Sequence, residues 1–364
     1  MHPAERTALP PPPVDPRALR EQARRIRGRR RLGALSTVAI LVVTGVSVWF
    51  LSSGQLPSRS EWAYRMTEAD TLAGQGLDGG GQVICLVDTG VDPRHPDLAH
   101  MRILAWKDFV HGNATPYDDD GHGTAMAGLI LSSGSLRGVA PGASLIVAKI
   151  LDSRGSGTSA GLASAIDFCV DPTGTGNGTG GATIISLSLG AARALPVGND
   201  VSLAVGRAVG TGVFIVASAG NDGLADNGDV QMPASIPEVV AVGSVDSFGA
   251  IAGFSSIGSS SGLADPNKKP EIVAPGVDLL TTSKGGGYRL VSGTSASAAF
   301  VSGILALLLQ GHPSLAHSGS INAVLTIKAA LMEGAKKVPG QDAPHDPHYG
   351  YGLIDATATL ALLP

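Results

Sequence analysis

The sequence predicts an α/β protein with a mostly parallel central sheet, preceded by one transmembrane helix. Three observations carry this. From Trp62 onward, short β-branched runs alternate with helical segments; those runs are apolar throughout; and an uncharged stretch follows a cluster of arginines near the amino end. Strands joined through helices run parallel, and strands covered on both faces are apolar at every position. Composition agrees. Of 364 residues, 43% are hydrophobic and 15% charged, which excludes a disordered chain and allows a sizeable core. The 50 glycines follow no three-residue period, so a collagen-like chain is excluded and tight loops between short strands are expected.

Residues 1–33 hold nine arginines against Glu5, Asp15 and Glu21, with a proline run at 10–13, and read as a basic, disordered cytoplasmic tail. Their net charge is +6, so with −4 overall the remainder carries −10. An acidic body argues against nucleic acid as a partner. Residues 32–58 contain no charged side chain, and the apolar heart at 34–51 is 18 residues long, with Trp49 and Phe50 at its far end. Such a length just spans a bilayer, and the six arginines at 24–31 should stay cytoplasmic. Three readings compete: a signal anchor, a cleaved secretory signal, and a core helix. The flanks and the lack of an A-x-A-like site favour an anchor over 34–52, a linker over 53–61 and an exported domain over 62–364; secretion after cleavage is the alternative.

Within that domain, strands are predicted at 83–87, 145–150, 183–187, 213–217 and 239–242. Helices are predicted at 123–131, 159–169, 200–210 and 295–310. In parallel sheets the working residues lie just past the carboxyl ends of strands. That rule points to Asp88 after VICLV, to Ser188, Leu189 and Gly190 after TIISL, and to Asn221 after VFIVASAG. His122 stands between two glycines at a helix start (GHGT), and Ser295 at the head of a long apolar helix (SGTS), where free N–H groups and the helix dipole favour an oxyanion. Singly, each has an ordinary reading as a turn or capping residue.

Together, in the order Asp–His–Ser, the segments DTGVD, GHGT and SGTS resemble those of the subtilisin-like serine proteases, the subtilases. The likeness extends to ASAGNDG (217–223), SLSLG (186–190), GFSSIG (253–258) and YGYGLIDA (349–356). The resemblance implies a subtilisin-like three-layer fold and a serine endopeptidase needing no cofactor. Ser295 would be the nucleophile, His122 the general base and Asp88 its orienting carboxylate; Asn221 would supply the oxyanion hole. An extended polypeptide would lie along Ser188, Leu189 and Gly190 and along Ala217, Ser218, Ala219 and Gly220. The chain departs from the family pattern where Ala125 and Met126 follow GHGT and where no proline follows Ser295. Neither change removes a catalytic group.

Other features carry weaker expectations. Asp118, Asp119 and Asp120 form an acidic loop that could hold calcium, but without a ligand spacing that demands it, so no metal site is assigned. Asp222 and Gln231 could line a specificity pocket. Cys85 and Cys169 are too few for a disulfide scaffold and are expected as separate buried thiols, although an exported domain permits a bond. A monomer is expected. An inactive, peptide-binding relative remains the alternative function. A nucleotide-binding reading of the glycines at 74–81 fails because they precede a strand where phosphate cradling needs them after one.

Overall fold

A computed structural model describes residues 60–176, 180–189, 198–223, 229–258, 263–338 and 340–364. The tail and anchor segments, and Gly190, lie outside the described residues. Two short helices open the described chain, α1 (Glu61–Met66) and α2 (Ala69–Gly74). Ser60, at the end of the expected linker, already belongs to the folded body: its Oγ accepts a hydrogen bond from Leu280 N at 2.8 Å.

The sheet has seven strands: β1 (Val83–Asp88), β2 (Ile103–Asp108), β3 (Ser144–Lys149), β4 (Ile184–Leu187), β5 (Phe214–Ser218), β6 (Val240–Val245) and β7 (Ile272–Pro275). Their order is β2-β3-β1-β4-β5-β6-β7, with every neighbouring pair parallel. The five predicted strands are β1, β3, β4, β5 and β6. Edge strand β2 was not predicted: it pairs on one side only and is half exposed along most of its length, so it lacks the continuous apolar run of its neighbours. Strand β7, and a separate antiparallel hairpin of β8 (Leu279–Ser283) with β9 (Gly287–Val291), were not predicted either.

The four predicted helices are α3 (His122–Leu131), α4 (Ser159–Val170), α5 (Asn199–Gly210) and α6 (Thr294–Gly311). Helix α3 packs with α6, and α4 with α5. Two further helices, α7 (Ile321–Gly334) and α8 (Ala356–Ala361), pack together near the carboxyl end. Helix α6 is the organising element. It lies against β4, β5, β6 and β7, and nearly every residue from Thr294 to Leu309 is buried. Among the described residues it is the one helix long and apolar enough to cross a membrane, yet it is the core helix of this fold.

The cysteine expectation is corrected. Cys85 and Cys169 form a disulfide with a Cα–Cα distance of 5.7 Å. Both are fully buried, as expected, but helix α4 returns across the sheet and sets its end beside the middle of β1. Eighty-four positions separate the two residues, and only that crossover brings them together.

Candidate active site

Strand order reverses direction at β1: β3 and β2 extend the sheet on one side, β4 to β7 on the other. Ligand crevices in parallel sheets open at such a point, beyond the carboxyl ends of the strands. Asp88 ends β1 there, and Ser188 follows β4.

Asp88 is fully buried. Its Oδ1 accepts from Thr89 N at 2.7 Å and faces Nδ1 of His122 at 2.8 Å, with Oδ2 at 3.0 Å from the same nitrogen. An isolated buried carboxylate is costly, so this pairing is what allows Asp88 its position. The His122 imidazole, by contrast, is about a third exposed. Burial disfavours its charged form, but the charges of Asp88, Asp120 and Asp118, with the Asp88 hydrogen bond, outweigh burial and raise its pKa above the ordinary value. Backbone closeness explains the flanking glycines. A Cβ on Gly123 would meet Gly90 O at 2.1 Å, so DTGVD and GHGT can touch only if position 123 has no side chain.

The acidic loop beside His122 has a structural task. Asp118 accepts from Thr89 Oγ1, Asp120 N, Gly121 N, and both Thr124 N and Oγ1, at 2.6–3.1 Å, and so ties the end of β1 to the first turn of α3. Asp119 pairs at 2.6 Å with Lys149, a buried lysine closing β3 that also donates to Thr89 O and Leu151 O. Asp120 accepts from His122 N at 3.1 Å. The three carboxylates turn to different partners, and among the described residues no group of three or more His, Cys, Asp or Glu side chains could share a metal ion. A lone lysine closing the apolar run LIVAK was a signal of this network that the sequence offered.

Ser295 opens the second position of α6 and lines the same cavity as His122 and Asn221. Its Oγ donates to Ser188 O at 2.9 Å, and the Ser188 hydroxyl returns a bond to Ser295 O at 3.1 Å. Asn221 is oriented by Thr294, whose N and Oγ1 lie 2.9 and 3.0 Å from Asn221 Oδ1. That bonding turns Nδ2, the donor, away from Thr294. A methyl carbon built on Gly293 would sit 3.6 Å from Asn221 Nδ2, 3.7 Å from its Oδ1 and 3.9 Å from Ser295 N, so the Asn221 amide and the Ser295 N–H lie around one spot.

Two sequence expectations find different surroundings. Ala217 and Ser218 lie within β5, paired with β4 and β6, while Ala219 N bonds Val242 O and Ala219 O accepts from Gln231 N. Gly220 N bonds Thr294 Oγ1, and Gly220 O accepts from Ser256 N. The backbone of 217–220 is thus largely committed inside the fold, leaving Ser188 and Leu189 as the cavity-lining members of the expected substrate strands. Gln231 Nε2 donates to Asp222 Oδ2, and neither residue borders the cavity.

The cavity has a volume of about 330 Å³. Its walls include Met126, Leu151 and, unforeseen from sequence, Arg289, Leu290, Val291 and Ser292 of the hairpin and the turn after it. The glycine turn 285–287 between LLTTS and YRLV was the available hairpin signal.

An Asp–His pair and a helix-borne serine at the switch point of a parallel sheet have the form of an α/β serine hydrolase. The chain belongs to the Subtilase family, whose model matches residues 79–352. It is 31% identical over 298 residues to subtilisin DY of Bacillus licheniformis, covering 80% of this chain and 96% of the relative. Serine protease AprX of Bacillus subtilis (strain 168) is 33% identical over 313 residues, covering 78% of this chain and 67% of the relative. Subtilisin NAT of Bacillus subtilis subsp. natto is 34% identical over 253 residues, covering 68% of this chain. The chain spans 60% of the length of subtilisin NAT, and the same share of subtilisin E.

Proposed function

We propose that this protein is a serine endopeptidase, held in a membrane by residues 34–52, with its catalytic domain on the periplasmic or extracellular side. The observation that carries the chemistry is the two-oxygen grip of Asp88 on His122 Nδ1 with His122 and Ser295 lining one cavity, which supports Nε2 as the atom that meets the serine. Turning about its Cα–Cβ bond, the Ser295 hydroxyl exchanges the Ser188 carbonyl for His122 Nε2, gives up its proton there and bonds to the carbon of a peptide carbonyl. Asp88 holds the imidazole tautomer and stabilises the imidazolium. The carbonyl oxygen, now negative, takes hydrogen bonds from Asn221 Nδ2 and Ser295 N. His122 returns the proton to the leaving nitrogen as the C–N bond breaks, and a water molecule then releases the acyl group by the same steps in reverse.

The substrate is an extended polypeptide pairing with the backbone at Ser188–Gly190, which supplies affinity with little sequence preference. The Cys85–Cys169 bond supports export, because such bonds persist in oxidising compartments. No cofactor, nucleic acid or second subunit is required by this chemistry. The inactive, peptide-binding reading draws on the Ser295–Ser188 hydrogen bond, which parks the hydroxyl on a carbonyl. A fluorophosphonate probe separates the two: an activated serine is labelled in the native chain and not in Ser295→Ala, whereas an inactive relative is labelled in neither.

A further inference from the structure

The cavity over Ser295 carries a guanidinium that peptide hydrolysis itself does not use. Arg289 sits in the middle of β9, opposite Thr281 of β8, and borders the cavity together with Leu290 and Val291. The strand bearing it is fixed from both ends. Beyond the turn, Gly285 N donates to Asp92 Oδ2 at 2.9 Å, and Gly287 O lies 2.8 Å from His95 Nε2. Tyr288 donates from its hydroxyl to Asp97 Oδ1 at 3.1 Å and packs its ring against His95. At the other end the strand runs straight into Gly293 and Ser295. Successive side chains of a strand point to opposite faces, so anchoring Tyr288 on the 92–97 loop turns Arg289 away from it.

Arg289 is exposed and forms no ion pair among the described residues. The other charged groups bordering the cavity are Asp120 and His122. Asp120 lies beside the imidazole and accepts from its backbone N–H, so its charge acts on His122. A substrate thus meets positive charge on the hairpin wall and negative charge at the base of the imidazole. On the protease reading the acyl half of the substrate lies along Ser188–Leu189, which leaves the hairpin, a different wall of the cavity, to the leaving half.

Resting on the protease reading above, the geometry points to Arg289 as a specificity-determining residue. It selects polypeptides with an aspartate or glutamate one or two residues beyond the scissile bond, on the leaving-group side. A planar guanidinium takes a carboxylate through two parallel hydrogen bonds, and its fork of donors is already set in geometry, which limits the entropy lost per bond. The pair forms at the edge of solvent, so discrimination is modest, roughly three- to tenfold.

The test uses the full-length chain in detergent and a set of quenched fluorescent peptides. They are identical except for Glu, Ala or Lys at the first and second positions after the cleaved bond, and each enzyme is read as its ratio of kcat/KM for Glu over Lys. The native chain should favour Glu at one of the two positions by that margin. Arg289→Lys should keep the sign, Arg289→Ala should bring the ratio close to one, and Arg289→Glu should invert it. Raising salt from about 0.05 to about 0.5 M should shrink the native ratio. Equal ratios in the native chain and Arg289→Glu overturn the assignment while leaving the protease intact. Failure to cleave even the Ala peptide overturns both.

Discussion

Each proposed catalytic residue is held by a partner that fixes what it does, and three expected outcomes follow from those partners. Ser295→Ala should abolish peptide hydrolysis, with a loss approaching about six orders of magnitude, while the far-ultraviolet circular dichroism stays native. Asn221→Ala should lower kcat by about 10²–10³ with KM little changed, because Nδ2 meets the oxyanion only after attack; steady-state kinetics on one peptide reads the difference, and an effect confined to KM would place the oxyanion hole elsewhere. The third outcome concerns pH. General-base action needs neutral His122, so kcat/KM rises with pH through the pKa of that imidazole, which stands above the ordinary 6.5. Asp120→Asn removes one of the charges that raise it, so the acidic limb of the pH–rate profile should move to lower pH. Folding follows the matching sign: the His122–Asp88 attraction is fully present below the unfolded pKa and fades as pH rises through the raised folded one. At this scale Asp88, His122, Asn221 and Ser295 were legible because each stands in a short motif at a strand end or helix start. Asp118 was not, since a run of three aspartates means little until the chain folds it onto Thr89 and Thr124, and Lys149 left only the faint mark of a lysine closing LIVAK.

Elements place these residues, and the disulfide is a property of two elements. By closing a loop of 84 positions between β1 and α4, the Cys85–Cys169 bond restricts the unfolded chain. Removing a native bond of this kind typically costs about 2–5 kcal/mol. The double variant Cys85→Ala/Cys169→Ala should therefore melt at a clearly lower temperature than the oxidised chain, and adding a thiol reductant should lower the melting temperature of the native protein and leave the variant unchanged. Equal melting temperatures for native and variant chains would show that the bond contributes nothing. Since Cys85 lies three residues before Asp88 on one buried strand, loosening β1 should also reduce peptidase activity near the melting range. The predicted elements were those with unbroken apolar runs, β1, β3, β4, β5 and β6. The strands β2 and β9 were missed because half-exposed strands mix polar and apolar residues; β8 buries two threonines and so has no unbroken apolar run, and β7 is buried but only four residues long and closed by a proline.

On the scale of the whole molecule, the proposed anchor would keep the six arginines at 24–31 on the cytoplasmic side and the body on the other. Carbonate washing of membranes should leave the full-length chain in the pellet, and protease added to spheroplasts should digest the body while residues 1–31 stay protected. Release by carbonate, or protection of the body until the inner membrane is lysed, would overturn the anchor or its orientation. A chain lacking residues 1–54 should be soluble and still cleave a neutral peptide, because the folded body is already under way at Ser60 and α1 packs Tyr64 edge-on against Phe300 of α6 at 5.1 Å.

By itself, the sequence determined what is written locally: a parallel α/β body in the Asp–His–Ser order, an apolar segment behind a basic cluster, and the four side chains of the proposed chemistry. Strand periodicity, glycine turns and helix starts depend on neighbours a few positions apart, so they survive in one dimension. Tertiary structure decided whatever joins distant positions. Crossover helix α4 made a disulfide of two cysteines that read as separate thiols. Insertion of β5 between β4 and β6 committed the backbone of Ala217 and Ser218 to the sheet. The hairpin packed its first strand on α3 through Thr281 and Thr282 and set Arg289 on the wall of the cavity that Ser295 lines. Each of these depends on which strand lies beside which, and that order comes from burying one shared core rather than from any single segment.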